Sequence, residues 1–139
     1  MLRFEHKGQN PQLDFQAILE LYASVGWTNY TSCPEMLKQA LGNSLFLLVV
    51  FDGDCLVGLL RPVGDGYSII FIQDILVAPT YQRQGIGRTL LEQTLSHFPD
   101  VYQLHLLTGS EEKTKSFYEA LGFTEVGDLD CVAYTYFKK

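Results

Sequence analysis

The chain has 139 residues, 47% hydrophobic and 19% charged, with a net charge of −6 and a pI near 4.9. That is enough for a single domain, taken over 1–139, with a real core, and it excludes a disordered chain. The acidic balance argues against nucleic acid as the main partner, because such proteins carry a basic face.

No apolar run reaches the roughly 18–20 residues that span a bilayer, and Met1-Leu2-Arg3-Phe4-Glu5-His6 does not read as a signal peptide. A cytoplasmic protein without a membrane partner is expected. Cys33, Cys55 and Cys131 are odd in number and lack metal-type spacing, so reduced structural thiols and no metal site are expected.

Leu2 to Lys7 reads as an opening strand. Asp14 can cap a helix whose apolar residues Phe15, Ile18, Leu19, Tyr22 and Val25 follow helical spacing and which stops at Gly26. Ser32-x-x-Glu35 reads as a capping box for a second helix, apolar at Met36, Leu37, Ala40 and Leu41 and ended by Gly42-Asn43. The period then changes. Leu45–Phe51 and Cys55–Arg61 flank the hairpin signal Asp52-Gly53-Asp54, and Gly64-Asp65-Gly66 turns the chain into a third strand that runs to Val77. A central helix follows, with Leu90, Leu91, Leu95 and Phe98 on one face and Pro99 at its end. Tyr102–Thr108 is a strand, Ser110 caps a last helix, and Phe123–Val126 and Cys131–Phe137 are expected to finish the sheet.

Between the third strand and the central helix stands Gln82-Arg83-Gln84-Gly85-Ile86-Gly87. A glycine-bearing turn from a strand into a helix leaves backbone N–H groups without internal partners at the positive end of the helix dipole. Glycine at 85 and 87 lets phosphates approach without meeting a Cβ. A Walker-type loop is excluded, because Gln82 replaces its first glycine and Arg88 its lysine. A dinucleotide fingerprint is excluded by Leu90 at its third glycine.

The remaining pattern, [Q/R]-x-x-G-x-[G/A] after Val77-Ala78-Pro79-Thr80-Tyr81, resembles the acetyl-CoA loop of the GNAT N-acetyltransferase superfamily. Phe117-Tyr118-Glu119-Ala120-Leu121-Gly122-Phe123 is similar to the family's tyrosine and Gly-Phe signature of the last helix and following strand. Val25-Gly26-Trp27 and Leu37 through Asn43-Ser44 resemble a subgroup of small bacterial and chloroplast members, including plant enzymes that acetylate serotonin-like amines and protein lysines. The resemblance implies an α+β fold with a mixed, mostly antiparallel sheet of six to seven strands, splayed in the middle, and about four helices on both faces.

It also implies a chemistry: transfer of an acetyl group from acetyl-CoA to a primary amine by direct attack in a ternary complex. A small amine is the first acceptor expected, and a protein lysine or N-terminus the second. Free amines sit near pKa ~10 and must lose a proton, and the departing thiolate must gain one. The resemblance places the cofactor on Gln82, Arg83, Gln84, Gly85, Ile86, Gly87 and Arg88 for its phosphates and on the strand backbone at Ile75, Leu76 and Val77 for its pantetheine amides. Tyr118 falls where family members keep a hydroxyl beside the coenzyme sulfur, so it is the expected general acid.

Asp74 is the only carboxylate in its strand. A buried acid needs a partner or a job; it can accept the amine's proton through water, anchor a cationic substrate, or hold a nearby loop. Many amine acetylators carry an acid one position earlier, where this chain has Gln73. The last helix also departs from the family at Glu111 and Thr114, where Asn and Ala are common. Trp27 and Tyr30 are candidate walls of the acceptor pocket, and Arg61 can face it. No cysteine lies in either motif, so no acyl-enzyme is suggested. A catalytically silent CoA-binding regulatory module is the alternative, and monomer and homodimer both stay open.

Overall fold

The change of sequence period after Gly42 marks where helices give way to the sheet. The computed structural model describes residues 1–8 and 12–138. Its elements run β1 (Leu2–Lys7), α1 (Phe15–Ser24), α2 (Thr28–Thr31), α3 (Pro34–Gly42), β2 (Leu47–Asp52), β3 (Cys55–Gly64), β4 (Ile69–Val77), α4 (Ile86–His97), β5 (Gln103–Leu106) and α5 (Glu112–Ala120). Two compact units result, Met1–Leu107 and Thr108–Lys139.

In the first unit the strands lie in the order β1-β2-β3-β4-β5. The first three pairings are antiparallel and β4–β5 is parallel. The hairpin turn falls as expected, with Asp52 opposite Cys55 and Gly53 at φ +61. β3 is buried from Val57 to Pro62 because helices cover both of its faces. On one face Leu47, Val49, Leu59 and Leu76 pack with Ile18, Leu21, Tyr22, Leu37 and Leu41 of α1 and α3. On the other, α4 begins against Gly58, where an added Cβ would lie 3.4 Å from Ile86 Cγ2 and 3.3 Å from Val50 Cγ2. Glycine at 58 therefore sets how closely α4 approaches the sheet.

The β3–β4 ladder contains one extra residue. Arg61 pairs with Asp74, but Pro62 pairs with Ile72, so Gln73 is bulged out. Proline has no N–H for the ladder and is tolerated at such a break; its carbonyl instead accepts Leu45 N–H at 2.9 Å. Directly paired residues share a face. Ile70 and Ile72 therefore lie on the side of Pro62 and Leu60, whereas Asp74 and Leu76 lie on the side of Arg61 and Leu59. The bulge swaps the parity of the strand.

Several expectations need correction. The sheet has five strands among the described residues rather than six or seven. After Phe123 the chain makes a 3-10 turn, Val126–Leu129, closed by Asp130 at φ +59 and by Cys131 N–H to Val126 O at 3.0 Å. That local bonding uses groups a strand would need, and Cys131–Phe137 is in no ladder. Helices number five among the described residues, because the single turn α2 forms between the first two expected helices. Ser32 closes α2 by donating to Thr28 O at 2.6 Å, so it does not cap α3, whose N-cap is Cys33. Glu111, not Ser110, is the N-cap of α5. Asp14 does cap α1, accepting Gln16 N–H at 3.0 Å. All three cysteines are exposed rather than built into a core.

Candidate functional site

The residues proposed from sequence fall into a closed polar cluster, an open elbow and a strand edge in the first unit, and a helix in the second. The cluster centres on Asp74, which is 3% exposed. Its carboxylate accepts from Arg61 Nε at 2.7 Å, Tyr30 Oη at 2.8 Å and Tyr22 Oη at 2.9 Å. Arg61, 5% exposed, also donates to Tyr30 Oη at 3.2 Å and to Ser44 Oγ at 3.3 Å. Ser44 in turn donates to Ala40 O at 2.7 Å. The network ties β3, β4, α1, α2 and the end of α3 together.

Electrostatics fix the protonation of two members. Burial pushes the Tyr22 phenol far above its ordinary value, and the Asp74 charge pushes the same way against Arg61; the hydroxyl stays a donor. Burial works against the Arg61 charge, but the Asp74 carboxylate more than offsets it, so the guanidinium pKa is raised. Of the roles open to Asp74, the geometry supplies that of a hydrogen-bonded anchor. No member is left unsatisfied, as a buried ion pair requires.

Trp27, half-buried, leans on this cluster, with its ring centroid 5.9 Å from that of Tyr22 and 6.4 Å from that of Tyr30. Tyr30 is 8% exposed, with its hydroxyl committed to the network. The structure brings these two candidate pocket walls together, with Tyr30 more deeply buried than Trp27. Tyr22 and Ser44 were missed, because a tyrosine on an apolar helix stripe and a serine after a helix give no signal of a charged partner far along the chain.

The elbow is the opposite case. After β4 the chain makes a 3-10 turn, Pro79–Tyr81, pinned by Tyr81 Oη donating to Asp52 Oδ2 at 2.6 Å. Gln82 turns its side chain back, donating to Val77 O at 3.0 Å. Arg83 and Gly85 both take positive φ, +64 and +81. Gly85 is the N-cap of α4 with no side-chain capping bond. The first α4 amide to find an in-helix acceptor is Thr89, bonding Gly85 O at 3.0 Å. The N–H groups of Ile86, Gly87 and Arg88 come before it and have no acceptor within the helix. A Cβ built on Gly85 would meet nothing within 4 Å, so its backbone is open to approach. Gln82, Arg83, Gln84 and Arg88 are exposed. Ile86 is 2% exposed, buried over Gly58, and offers only its backbone.

Just before the elbow lies the strand edge. β4 pairs with β5 only from Ile69 to Ile72, opposite Gln103 to Leu106. Beyond Ile72 the β5 side of β4 has no strand neighbour among the described residues, while the β3 side stays paired to Val77. The divergence falls at the Gln73 bulge. Ile75 and Val77 thus turn backbone groups to the open side, where Gln82 Nε2 already takes the Val77 carbonyl, whereas Leu76 turns its backbone to β3 and its side chain to the core at 3% exposure. The donor set, an open strand edge running into a turn of unclaimed N–H groups, fits an amide-bearing arm followed by a diphosphate.

In the second unit, Tyr118 stands on α5, half-buried between Phe117 and Phe123, with ring centroids 5.0 and 5.6 Å away. Burial raises its phenol pKa above the ordinary 10, with Thr108 working against the shift. The hydroxyl is protonated throughout the neutral range.

Comparison with known proteins agrees with these features. The family model described as an acetyltransferase (GNAT) domain matches residues 18–136. A solved GNAT-family acetyltransferase of Streptococcus pneumoniae TIGR4 is similar at 40% identity and a TM-score of 0.88, with 100% of this chain and 99% of that one covered. An uncharacterized, ycf52-like N-acetyltransferase of Prochlorococcus marinus is 30% identical over 81% of this chain. The chloroplastic serotonin N-acetyltransferase 2 of Oryza sativa is 28% identical over 80%. The chain spans 63% of the length of the first of these curated relatives and 56% of the second. With the fold, the glycine elbow and the family match in agreement, this chain belongs to the GNAT acetyltransferase family, a family of acyltransferases.

Proposed function

We propose that this chain transfers an acetyl group from acetyl-CoA to a primary amine, with a small amine as the preferred acceptor. The observation that carries the reading is the loss of β4–β5 pairing after Ile72, which leaves an open edge leading into unclaimed elbow N–H groups. In this reading the Ile75–Val77 stretch holds the pantetheine amides, with the Ile75 backbone and the Val77 N–H on the open side and Leu76 fixing the strand to β3. The N–H groups from Arg83 to Arg88 hold the diphosphate, with Arg83 and Arg88 adding charge. Acetyl-CoA supplies the thioester, and the chain supplies position and protons.

Tyr118 gives its proton to the leaving sulfur as the new C–N bond forms and the C–S bond breaks. Its motif assigns the role, and its raised pKa keeps the proton available. Asp74 holds the bulged strand in place, and water carries away the proton of the attacking amine. The half-buried Trp27 ring walls the acceptor site. The name of the rice relative, an N-acetyltransferase of serotonin, favours an aromatic amine as the first acceptor to try. The reading extends to a cytoplasmic setting; no described helix is long and apolar enough to cross a membrane.

Calorimetric titration of acetyl-CoA, followed by thiol release across an amine panel, tests the proposal. Tyr118→Phe is expected to lower kcat by about 100-fold, the lower end of general acid contributions, with the acetyl-CoA affinity unchanged. Binding with no turnover on any amine would make the chain a silent CoA-binding module. An absence of binding would end the reading.

A further inference from the structure

The stretch that leads from β4 into α4 is anchored at both ends. Ala78 N–H bonds Val57 O of β3 at 2.8 Å, and the Ile86 side chain is buried over Gly58. In residues 79–85 the hydrogen bonds stay within the turn and its flanks: Tyr81 N–H to Ala78 O, Gln82 N–H to Pro79 O, and the Gln82 and Gln84 side-chain amides to Val77 O and Thr80 O. Among the described residues, one bond ties this stretch to a distant part of the chain. Tyr81 Oη donates to Asp52 Oδ2 at 2.6 Å, at the end of β2.

Asp52 is well placed to receive it. It stands opposite Cys55 at the head of the β2–β3 hairpin, and its other oxygen accepts from the Met1 ammonium at 3.2 Å. The Tyr81 hydroxyl, and after it that ammonium, hold the Asp52 carboxyl below its usual range. The acceptor is therefore charged at neutral pH, which makes the bond from Tyr81 one of the stronger kind.

The turn needs such a hold. Arg83 and Gly85 both take positive φ, and a non-glycine residue keeps that conformation only where its surroundings impose it. Gln82, Arg83, Gln84 and Gly85 are exposed, so the restraint has to come from the two ends, Ile86 in the core and Tyr81 on the hairpin. We propose that Tyr81 and Asp52 form a latch that keeps the Gln82–Gly87 turn in its ligand-binding shape, which makes both of them positioning residues for acetyl-CoA. They act through the turn, and not on the thioester or the amine. The inference rests on the acetyl-transfer reading and adds to it the part of the protein that sets the elbow.

Calorimetric titration of acetyl-CoA into the full chain tests it. Tyr81→Phe should weaken binding by about tenfold, the low end for one hydrogen bond to a charged group. Asp52→Ala should do the same, and the two together should lose no more than either alone, as partners in one interaction do. Asp52→Asn keeps an oxygen for the Tyr81 hydroxyl and should recover most of the affinity. With any amine that wild type acetylates, the loss should fall on the KM for acetyl-CoA, and a matching fall in kcat at saturation overturns the latch. So do equal binding by wild type and Tyr81→Phe, losses that add in the double variant, or an Asp52→Asn protein as weak as Asp52→Ala; each of these leaves acetyl transfer standing. Wild type that binds no acetyl-CoA ends that reading and the latch with it. If Tyr81→Phe does not fold, Asp52→Asn against Asp52→Ala gives the decision.

Discussion

Two regions flank the second half of β4, and they spend their polar groups in opposite ways. In the Asp74 cluster every donor finds an acceptor inside the protein, across four further elements, and the principal groups are at most 8% exposed. In the elbow, a few residues later, the backbone N–H groups are left without acceptors, and the residue at the turn, Gly85, has open space where a Cβ would be. The cluster is finished chemistry that holds a shape. The elbow is unfinished chemistry that waits for a partner.

The largest expected effect comes from opening the cluster. Asp74→Ala leaves the Arg61 charge buried without its partner and should cost about 3–5 kcal/mol in urea unfolding. Replacing both, with Arg61→Leu and Asp74→Leu, should recover most of that loss, because the pair's net worth against apolar packing is small. An Asp74→Ala protein of native stability that has lost acetyl transfer would reverse the contrast and make Asp74 part of the reaction.

The elbow should respond the other way round. Gly85→Ala places a Cβ at φ +81 and should cost about 1–2 kcal/mol of stability. Acetyl-CoA affinity should fall at least tenfold, and calorimetry reads both arms against wild type. Unchanged affinity would show that the ligand does not approach the turn. Arg83→Gly is a milder probe. It relieves a non-glycine residue at φ +64 while adding glycine's entropy, for a net gain of about 0.5 kcal/mol. Affinity for acetyl-CoA should drop, by less than tenfold, since the backbone remains.

The smallest effect lies in a third place, where rings stack rather than bond. His6 lies parallel to His97 with centroids 4.4 Å apart and against Phe46 at 4.5 Å. Burial lowers the His6 pKa below 6.5, and the neighbouring His97 adds to the shift. The unfolded chain therefore binds the proton more readily, so this site's contribution to stability is present above about pH 6.5 and is lost as pH falls through the folded value. His6→Phe should flatten that part of a stability profile measured from pH 7 to pH 5.

How much of this was legible follows the same contrast. The elbow could be read because its physics is local: two glycines, a strand before and a helix after. The hairpin turn and the Asp14 cap were readable for the same reason. The cluster was not, because its bonds span 13 to 52 residues and neither Tyr22 nor Ser44 looks unusual where it stands. Nor did any glycine announce the bulge at Gln73. Ser32 misled because a capping serine and one that closes a preceding turn have the same sequence neighbours. The final strands misled because alternation declares only what a segment is fit for, and pairing needs an edge the sequence does not name.

The extra residue at Gln73 gives β4 something like a reading frame. Upstream, even-numbered positions turn toward one layer; downstream, they turn toward the other. Deleting that single residue would set Asp74 directly after Ile72, and plain alternation would then keep Asp74 opposite Arg61, Ile75 opposite Leu60 and Leu76 opposite Leu59. What a lost codon would remove is the bend that the extra residue puts in the strand, at the point where β4 parts from β5, while every cross-strand partner stayed the same.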